Sequence, residues 1–387
     1  MRVLHVIDGI GVGGAELVLI QLIEQLEKRG VHSIVLTLTP AGILRDRLVA
    51  SGAELVEMDM AKGRLPWAGL VAMVRAMKAS KPDVIQGWMY HGNFAAMVLR
   101  DLALLRTPMF WSIHNTLEPK LPFSAVTRLA YLACRVMAFR PRSIVYVSRA
   151  AADQHAAAGF RASKASVIPN GTNCDQFKPS ATERARVRAV LGLGDDVFLL
   201  GCFARWATMK GHPNLFEAIA RLKEQGLTPK VLLAGTRMEP SNADLAALMA
   251  RFGVTAECIC LGERSDVQDL MTAIDGLVLP SIYGEAFPMV LGEAMACQIP
   301  CVATDVGDSA YLLGNAGIIV PPSDVGGLTD ALSKLVRMAP EERAALGTLA
   351  RDRVRTRFSI DTMTDAYLDL YAPSGRVSAA ASSSVLG

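Results

Sequence analysis

Four charged side chains in the second half of the chain have types and spacings suited to a phosphorylated, hydroxyl-rich ligand. Glu285 and Glu293 stand eight positions apart in "GEAFPMVLGEA", and Pro288 between them is well placed in the first turn of a helix running through Cys297. Were the stretch wholly helical, the two carboxylates would sit about 12 Å apart. That is longer than the carboxylate pairs of glycoside hydrolysis, so a simple glycosidase pair is disfavoured. Two carboxylates gripping different parts of one elongated ligand fit better, with the free N–H groups of the helix start beside them. Cations stand upstream in "GCFARWATMKGHPNLF", where Arg205 closes an apolar strand and Lys210 lies in the following loop. Arginine can chelate a phosphate bidentately and lysine supplies a compact charge, so together they suit a departing diphosphate. Taken singly, each is equally an ordinary solvated surface charge.

A second phosphate signal opens the chain. In "VLHVIDGIGVGGAELVL" an apolar strand runs into a glycine turn and then an apolar helix beginning near Ala15. Gly9, Gly11 and Gly14 match the G-x-G-x-x-G spacing of a dinucleotide fingerprint. That fingerprint also needs an acidic residue at the end of the second strand for the ribose of NAD. No Asp or Glu lies between Glu27 and Asp46, so a nicotinamide cofactor is excluded. What remains is a turn whose backbone N–H groups can approach an anion, or a turn that merely closes the strand onto its helix.

The elements that must position these residues alternate regularly. Strands are predicted at 2–7, 33–38, 53–57, 83–86, 109–113, 143–147 and 165–168, with helical stretches between most of them. After a charged connector, "SATERARVRAVLGLG", the alternation restarts with "FLLGCFAR", "KVLLAG", "CICLGE", "GLVLPS", "PCVAT" and "GIIVPP". This predicts an α/β chain of two doubly wound Rossmann-like domains facing across a cleft, with ligands beyond the carboxyl ends of the strands. The expected division is 1–180 and 181–357, a C-terminal helix at about 358–372 packing back on the first domain, and a disordered tail at 373–387. A length of 387 residues suits two such cores, and 51% hydrophobic with 20% charged residues is a soluble globular composition. Seven cysteines at irregular spacings include no C-x-x-C pair and read as core residues, not metal ligands. With no long apolar run and no signal peptide, the expected location is the cytoplasm.

Several motifs in order give the chain a family likeness: "GVGGAE", "PDVIQGW", "SIHNT", "VSRAAADQHAAAGF", "VIPNGTNCDQF", "ARWATMKG", "LLAG" and the Glu285 to Glu293 pair. It resembles the retaining glycosyltransferases of family 4, which have the GT-B fold, and looks especially like enzymes of surface-polysaccharide assembly. The resemblance implies that Arg205 and Lys210 bind the diphosphate of a nucleotide-sugar, that Glu293 holds its ribose and that Glu285 contacts the donor sugar. It further implies donor contacts from Gly235, from backbone N–H groups around Phe287, Met289 and Val290, and from Arg264 beside the base. From the opposite domain, Gly13 and Gly14 would meet the diphosphate and His114 the donor sugar or reacting centre. UDP is the nucleotide most frequent in the family, and no cofactor and no metal are expected because no D-x-D motif occurs. The resemblance also implies that the departing diphosphate itself takes the acceptor's proton, and no side-chain nucleophile is assigned. One departure is Tyr311, where the family commonly has an acidic residue. A saccharide or lipid-linked acceptor follows from the same likeness. The alternatives are a nucleotide-sugar epimerase of the same fold and a non-catalytic nucleotide-sugar-binding protein.

Charge is uneven along the chain. Residues 1–180 hold 21 Lys and Arg against 13 Asp and Glu, while 181–387 hold 19 against 24. "FSAVTRLAYLACRVMAFRPRS" sets Arg128, Arg135, Arg140 and Arg142 among large apolar residues. It reads either as a helix on an anionic membrane surface, at the inner face of the membrane, or as a core helix with snorkelling arginines. No basic face with interleaved aromatics speaks for nucleic acid.

Overall fold

The computed structural model describes residues 1–11, 13–58, 67–117 and 123–372. The tail expected to be disordered, 373–387, lies outside them. The chain divides into two compact units, one of residues 1–171 with the C-terminal segment from Ile360, the other Thr172–Ser359.

Seven parallel strands form the first unit's sheet: β1 (Arg2–Ile7), β2 (His32–Thr37), β3 (Glu54–Glu57), β4 (Val84–Trp88), β5 (Met109–Ile113), β6 (Ser143–Tyr146) and β7 (Ala165–Val167). Their order, β3-β2-β1-β4-β5-β6-β7, reverses between β1 and β4. Leu4 of β1 lies beside Ile34 of β2 and Ile85 of β4, and all three are buried. Strands covered by helices on both faces are apolar at successive positions, which is why they are legible as runs. The helix Ile360–Tyr371 belongs to this unit: Arg29 pairs with Asp361 and Asp365 at 2.8 and 2.7 Å, and the Tyr371 hydroxyl donates to Gln86 of β4 at 3.1 Å.

The second unit's sheet has six parallel strands: β8 (Leu199–Phe203), β9 (Lys230–Ala234), β10 (Cys258–Cys260), β11 (Gly276–Leu279), β12 (Cys301–Thr304) and β13 (Ile318–Val320). The order β10-β9-β8-β11-β12-β13 reverses between β8 and β11. The charged connector forms the helix Ala181–Val190 within this unit, capped by Ser180. Its Arg188, 2% exposed, bonds Ala273, Gly194 and Val197 carbonyls and pairs with Asp275 at 3.3 Å. Leu200, Cys202, Val231, Leu233 and Val278 centre the core, and Cys258 and Cys260 pack half-buried against it.

In open α/β sheets the crevice at the reversal of strand order is left uncovered by crossover helices. Each unit therefore has one such crevice, and the sequence places its chemistry-bearing residues there: Asp8 to Gly14 after β1 and Trp88 to His91 after β4, Arg205 after β8 and Glu285 after β11.

Candidate functional site

In the second unit, two loops 75 residues apart in sequence meet through their backbones. Ile282 N–H donates to the Met209 carbonyl at 2.8 Å. Gly211 permits the approach, with φ +66° and a position where a Cβ would collide with the Pro280 carbonyl oxygen. Lys210 thereby reaches Glu285, its Nζ 2.5 Å from Oε1. Ser281 Oγ donates to the same oxygen at 2.6 Å, and the Ser281 carbonyl in turn accepts from Thr304 Oγ1 at 2.5 Å. Both bonds fall on Oε1, so Oε2 of this buried carboxylate stays available to a ligand hydroxyl. The carboxylate is held by two donors before any ligand arrives.

Beside this pair lies a pocket of about 280 Å3 bordered by Arg205, Gly235, Arg264, Val290 and Glu293. Gly235 has φ +142° and lies against the Ala204 carbonyl, where a Cβ would collide, so the ends of β8 and β9 draw together beneath Arg205. Arg205 is exposed and its guanidinium meets the Met209 sulfur at 3.6 Å; no carboxylate pairs with it among the described residues. Arg264 is instead held bidentately by Asp266 at 2.8 and 2.6 Å, which keeps the Asp266 carboxyl below its ordinary range. Burial pushes the Glu293 carboxyl up to about 7, and among the described residues no ion pair is made with it.

The helix carrying Glu293 runs Met289–Ala296, with Pro288 as the flanking residue and not within the first turn as the sequence predicted. It has no side-chain cap, so the N–H groups around Met289 and Val290 are open. Phe287 is buried against Phe358 with ring centroids 5.6 Å apart, leaving only its backbone for a ligand. Tyr311 packs into the same aromatic group: its ring lies edge-on to Phe358 and under the Arg357 guanidinium, and its carbonyl accepts from Arg353 at 2.6 Å. The pocket's Glu263 and Val267 belong to the loop "GERSDV" that the family likeness places beside the base together with Arg264, whereas Thr236 carried no signal of its own; they follow β9 and β10 and are collected by the strand order.

In the first unit, a cavity of about 310 Å3 at the β1/β4 reversal is bordered by Asp8, Gly9, Gly11, Glu16, Trp88, Met89 and His91. Met89 has φ +58°, a left-handed conformation costly for a side chain of its size and placed at the crevice. The helix after the glycine turn begins at Gly14 and the Glu16 carboxylate curls back against Gly13. Burial raises the Glu16 carboxyl, and the neighbouring Asp8 adds to the effect. The anion at this helix start is thus the chain's own, and a diphosphate at Gly13 and Gly14 would have to displace it and approach Asp8.

His114 follows β5. Its ring stacks on Trp88 at 5.0 Å and 20°, and Trp88 also stacks on Tyr367 at 6.4 Å. Among the described residues neither ring nitrogen of His114 has a hydrogen-bond partner, nor do Asn115 Oδ1 and Asn170 Oδ1. Burial pushes the His114 imidazole down to about 3, opposed in part by nearby Asn170, so the ring is neutral. The loop is braced from below: His155 Nδ1 donates to the Ala151 carbonyl at 2.7 Å, which leaves Nε2 to accept from the Tyr90 hydroxyl at 2.7 Å. Asn115 donates to that hydroxyl at 3.3 Å. The His155 brace went unread in sequence because its partner stands 65 positions away.

Among the described residues no cluster of three or more His, Cys, Asp and Glu could hold a metal ion.

Residues 12–176 match a family model described as Glycosyltransferase Family 4, and residues 197–338 one described as Glycosyl transferases group 1. EpsF of Bacillus subtilis (strain 168), assigned as a glycosyltransferase, is 26% identical over 79% of this chain and 79% of its own length. The D-inositol 3-phosphate glycosyltransferase of Saccharomonospora viridis is 32% identical over 53% of this chain and 49% of its own length. Among solved structures, Anabaena Alr3699/HepE in complex with UDP and glucose superposes with TM-score 0.82, at 22% identity over 95% of this chain and 98% of that one. WaaG, a glycosyltransferase involved in lipopolysaccharide biosynthesis, gives TM-score 0.73 at 18% identity over 96% and 100%. With one family model on each unit and a GT-B fold throughout, the chain belongs to the family 4 glycosyltransferases.

Proposed function

We propose that this glycosyltransferase takes its sugar from a nucleoside-diphosphate sugar, with UDP the first candidate, and transfers it with retention of configuration to a saccharide or lipid-linked acceptor. The observation that carries the reading is the Lys210–Glu285 pair standing beside a pocket bordered by Arg205 and Glu293, neither of them in an ion pair among the described residues. That is the complement of a diphosphate joined to two polyols. Arg205 and Lys210 take the diphosphate charge, the open N–H groups around Phe287, Met289 and Val290 add donors, and Glu285 Oε2 accepts from a sugar hydroxyl. Glu293 accepts from the ribose diol, whose hydrogen bonds favour its ionised form. Gly235 lets the ligand approach the backbone, and Arg264 borders the base. The UDP and glucose carried by the HepE structure support the choice of nucleotide.

In the proposed reaction the acceptor hydroxyl oxygen bonds to the anomeric carbon on the face from which the diphosphate leaves. The glycosidic C–O bond to phosphate breaks, and a departing phosphate oxygen takes the hydroxyl proton. The protein's part is positioning and charge stabilisation. Two cations already serve the leaving group, so we assign no metal. From the first unit His114, neutral and with both nitrogens open, hydrogen-bonds the donor sugar or the reacting centre. The Asp8 and Glu16 carboxylates beside Trp88 suit acceptor hydroxyls better than phosphate, by simple charge repulsion.

The test is thermal unfolding with UDP, GDP, ADP, dTDP and NAD, each in EDTA and in magnesium. A ligand at one hundred times its dissociation constant stabilises by about 2.7 kcal/mol. Stabilisation by one nucleoside diphosphate in EDTA, lost in Lys210→Ala, is the expected result. Stabilisation only with magnesium would sink the metal-free assignment, and none with any nucleotide would sink the donor site.

A further inference from the structure

The helix Ala125–Val136 has an apolar face that the described fold leaves open. Ser124 starts it, accepting from Thr127 N–H at 3.1 Å, and Ala130 and Cys134 turn into the core. At about 100° per residue, Val126 lies a turn before Ala130 on the flank of that buried face, while Leu129, Leu132 and Val136 form a stripe on the opposite side of the cylinder. The four are 67%, 69%, 40% and 71% exposed, and Phe139 just beyond the helix is 48% exposed. Surface helices of globular proteins ordinarily turn polar side chains outward. Here both sides are apolar.

The rim of this face is cationic. From Phe123 to Ser143 there are four arginines and no Asp or Glu. Arg128 and Arg135 are exposed and flank the stripe along one side, and Arg161 lies over the Phe139 ring at 5.8 Å. Arg140 grips Asp101 through both carboxylate oxygens at 2.8 Å, which fastens this segment to the end of the helix Met89–Leu102. There Leu102 and Leu104 are 48% and 84% exposed, so the apolar surface continues past the helix itself.

We infer that the first unit docks on an anionic lipid surface through this helix, with Val126, Leu129, Leu132, Val136 and Phe139 entering the acyl boundary and Arg128 and Arg135 meeting headgroup phosphates. Charge decides between this occupant and a second copy of the chain. A two-fold interface would set the arginines of one copy near those of the other, and the segment offers no carboxylate to receive them. A bilayer rich in anionic lipid supplies both the apolar interior and the counter-charge. The inference goes beyond the donor assignment and does not depend on it.

The experiment is flotation of the full chain with vesicles of phosphatidylglycerol and phosphatidylcholine in equal parts, against vesicles of phosphatidylcholine alone. Binding to the first, weakened by salt, and little binding to the second is expected. Leu129→Ser with Val136→Ser should lower the partition coefficient roughly tenfold or more, as loss of two inserted side chains requires. Arg128→Glu with Arg135→Glu should abolish the preference for phosphatidylglycerol. These positions are exposed, and an unchanged melting temperature identifies folded variants. Hydrogen exchange on the unaltered protein gives an independent reading, slowed across 125–139 when anionic vesicles are added. No binding at low salt, equal binding to both vesicles, or exchange slowed elsewhere overturns the inference. So does concentration-dependent self-association, removed by the serine variants, in a protein that ignores vesicles.

Discussion

The two crevices are built by the same reversal of strand order and prepared in opposite ways. In the second unit two of the charged groups are partnered in advance, with Lys210 and Ser281 converging on one oxygen of Glu285 and Asp266 fixing Arg264, while Arg205 and Glu293 stand without a counter-charge among the described residues. In the first unit the polar groups wait: among the described residues both His114 nitrogens, Asn115 Oδ1 and Asn170 Oδ1 have no partner, and Glu16 and Asp8 share one cavity. The contrast follows from charge. A buried ionised carboxylate needs its donors present, and Glu293, which lacks them among the described residues, is pushed up to about 7 instead, whereas a neutral imidazole, pushed down to about 3, can await a ligand at smaller cost.

The strongest way to break this comparison is to remove the cation. Lys210→Ala strands a nearly buried carboxylate and takes away a charge proposed to meet the diphosphate. Turnover of nucleotide-sugar should fall about 100- to 1000-fold, and denaturant unfolding should register a loss of about 3 kcal/mol. Adding Glu285→Gln should restore part of that stability but none of the turnover. Additive losses would mean that the two side chains do not act as a pair. His114→Ala comes next. It should cut turnover by roughly 10- to 100-fold while calorimetry finds UDP bound as before, since the proposed nucleotide site lies in the second unit. A parallel drop in UDP affinity would dissolve the distinction between the units.

Glu293 gives a smaller, pH-dependent effect. Its folded pKa, about 7, lies above the ordinary value of 4.5. The folded state therefore binds the extra proton between these limits, so unliganded stability should decline from pH 4.5 to 7, by up to about 3 kcal/mol, and level off above. UDP affinity should rise over the same window as the carboxylate forms. Glu293→Gln should flatten both curves; a UDP affinity that keeps its slope would remove Glu293 from the ribose. The smallest effect belongs to Arg264→Ala, whose exposed pair with Asp266 should change stability by less than about 1 kcal/mol.

How much of this was legible depended on the range of the interaction. The strands predicted at 2–7 and 109–113 coincide with β1 and β5, because a strand buried on both faces is written as a local apolar run. The helix at 360–371 was legible from its own periodicity. The element between Glu285 and Glu293 was read one residue long at its start: Pro288 fits a first turn by propensity, yet the chain turns helical only at Met289. The glycine turn was readable as an anion site, but not as one already met by Glu16, because a side chain's rotamer is not encoded by spacing.

The sequence by itself determined the two sheets, the glycine turn, the candidate cations and carboxylates and the basic apolar segment at 123–143, all of which rest on residues close together in the chain. Only the tertiary structure decided that Lys210 meets Glu285, that Arg205, Gly235, Arg264 and Glu293 border one pocket, and that Trp88 stacks between His114 and the late helix residue Tyr367 in ring contact with both. It alone decided, too, that Val126, Leu129 and Val136 face outward. The physical reason is that parallel strands need long crossovers, so neighbours across a crevice are distant in sequence. Which face of a helix remains uncovered depends likewise on the elements packed around it, and the helix's own periodicity does not choose between its two apolar sides.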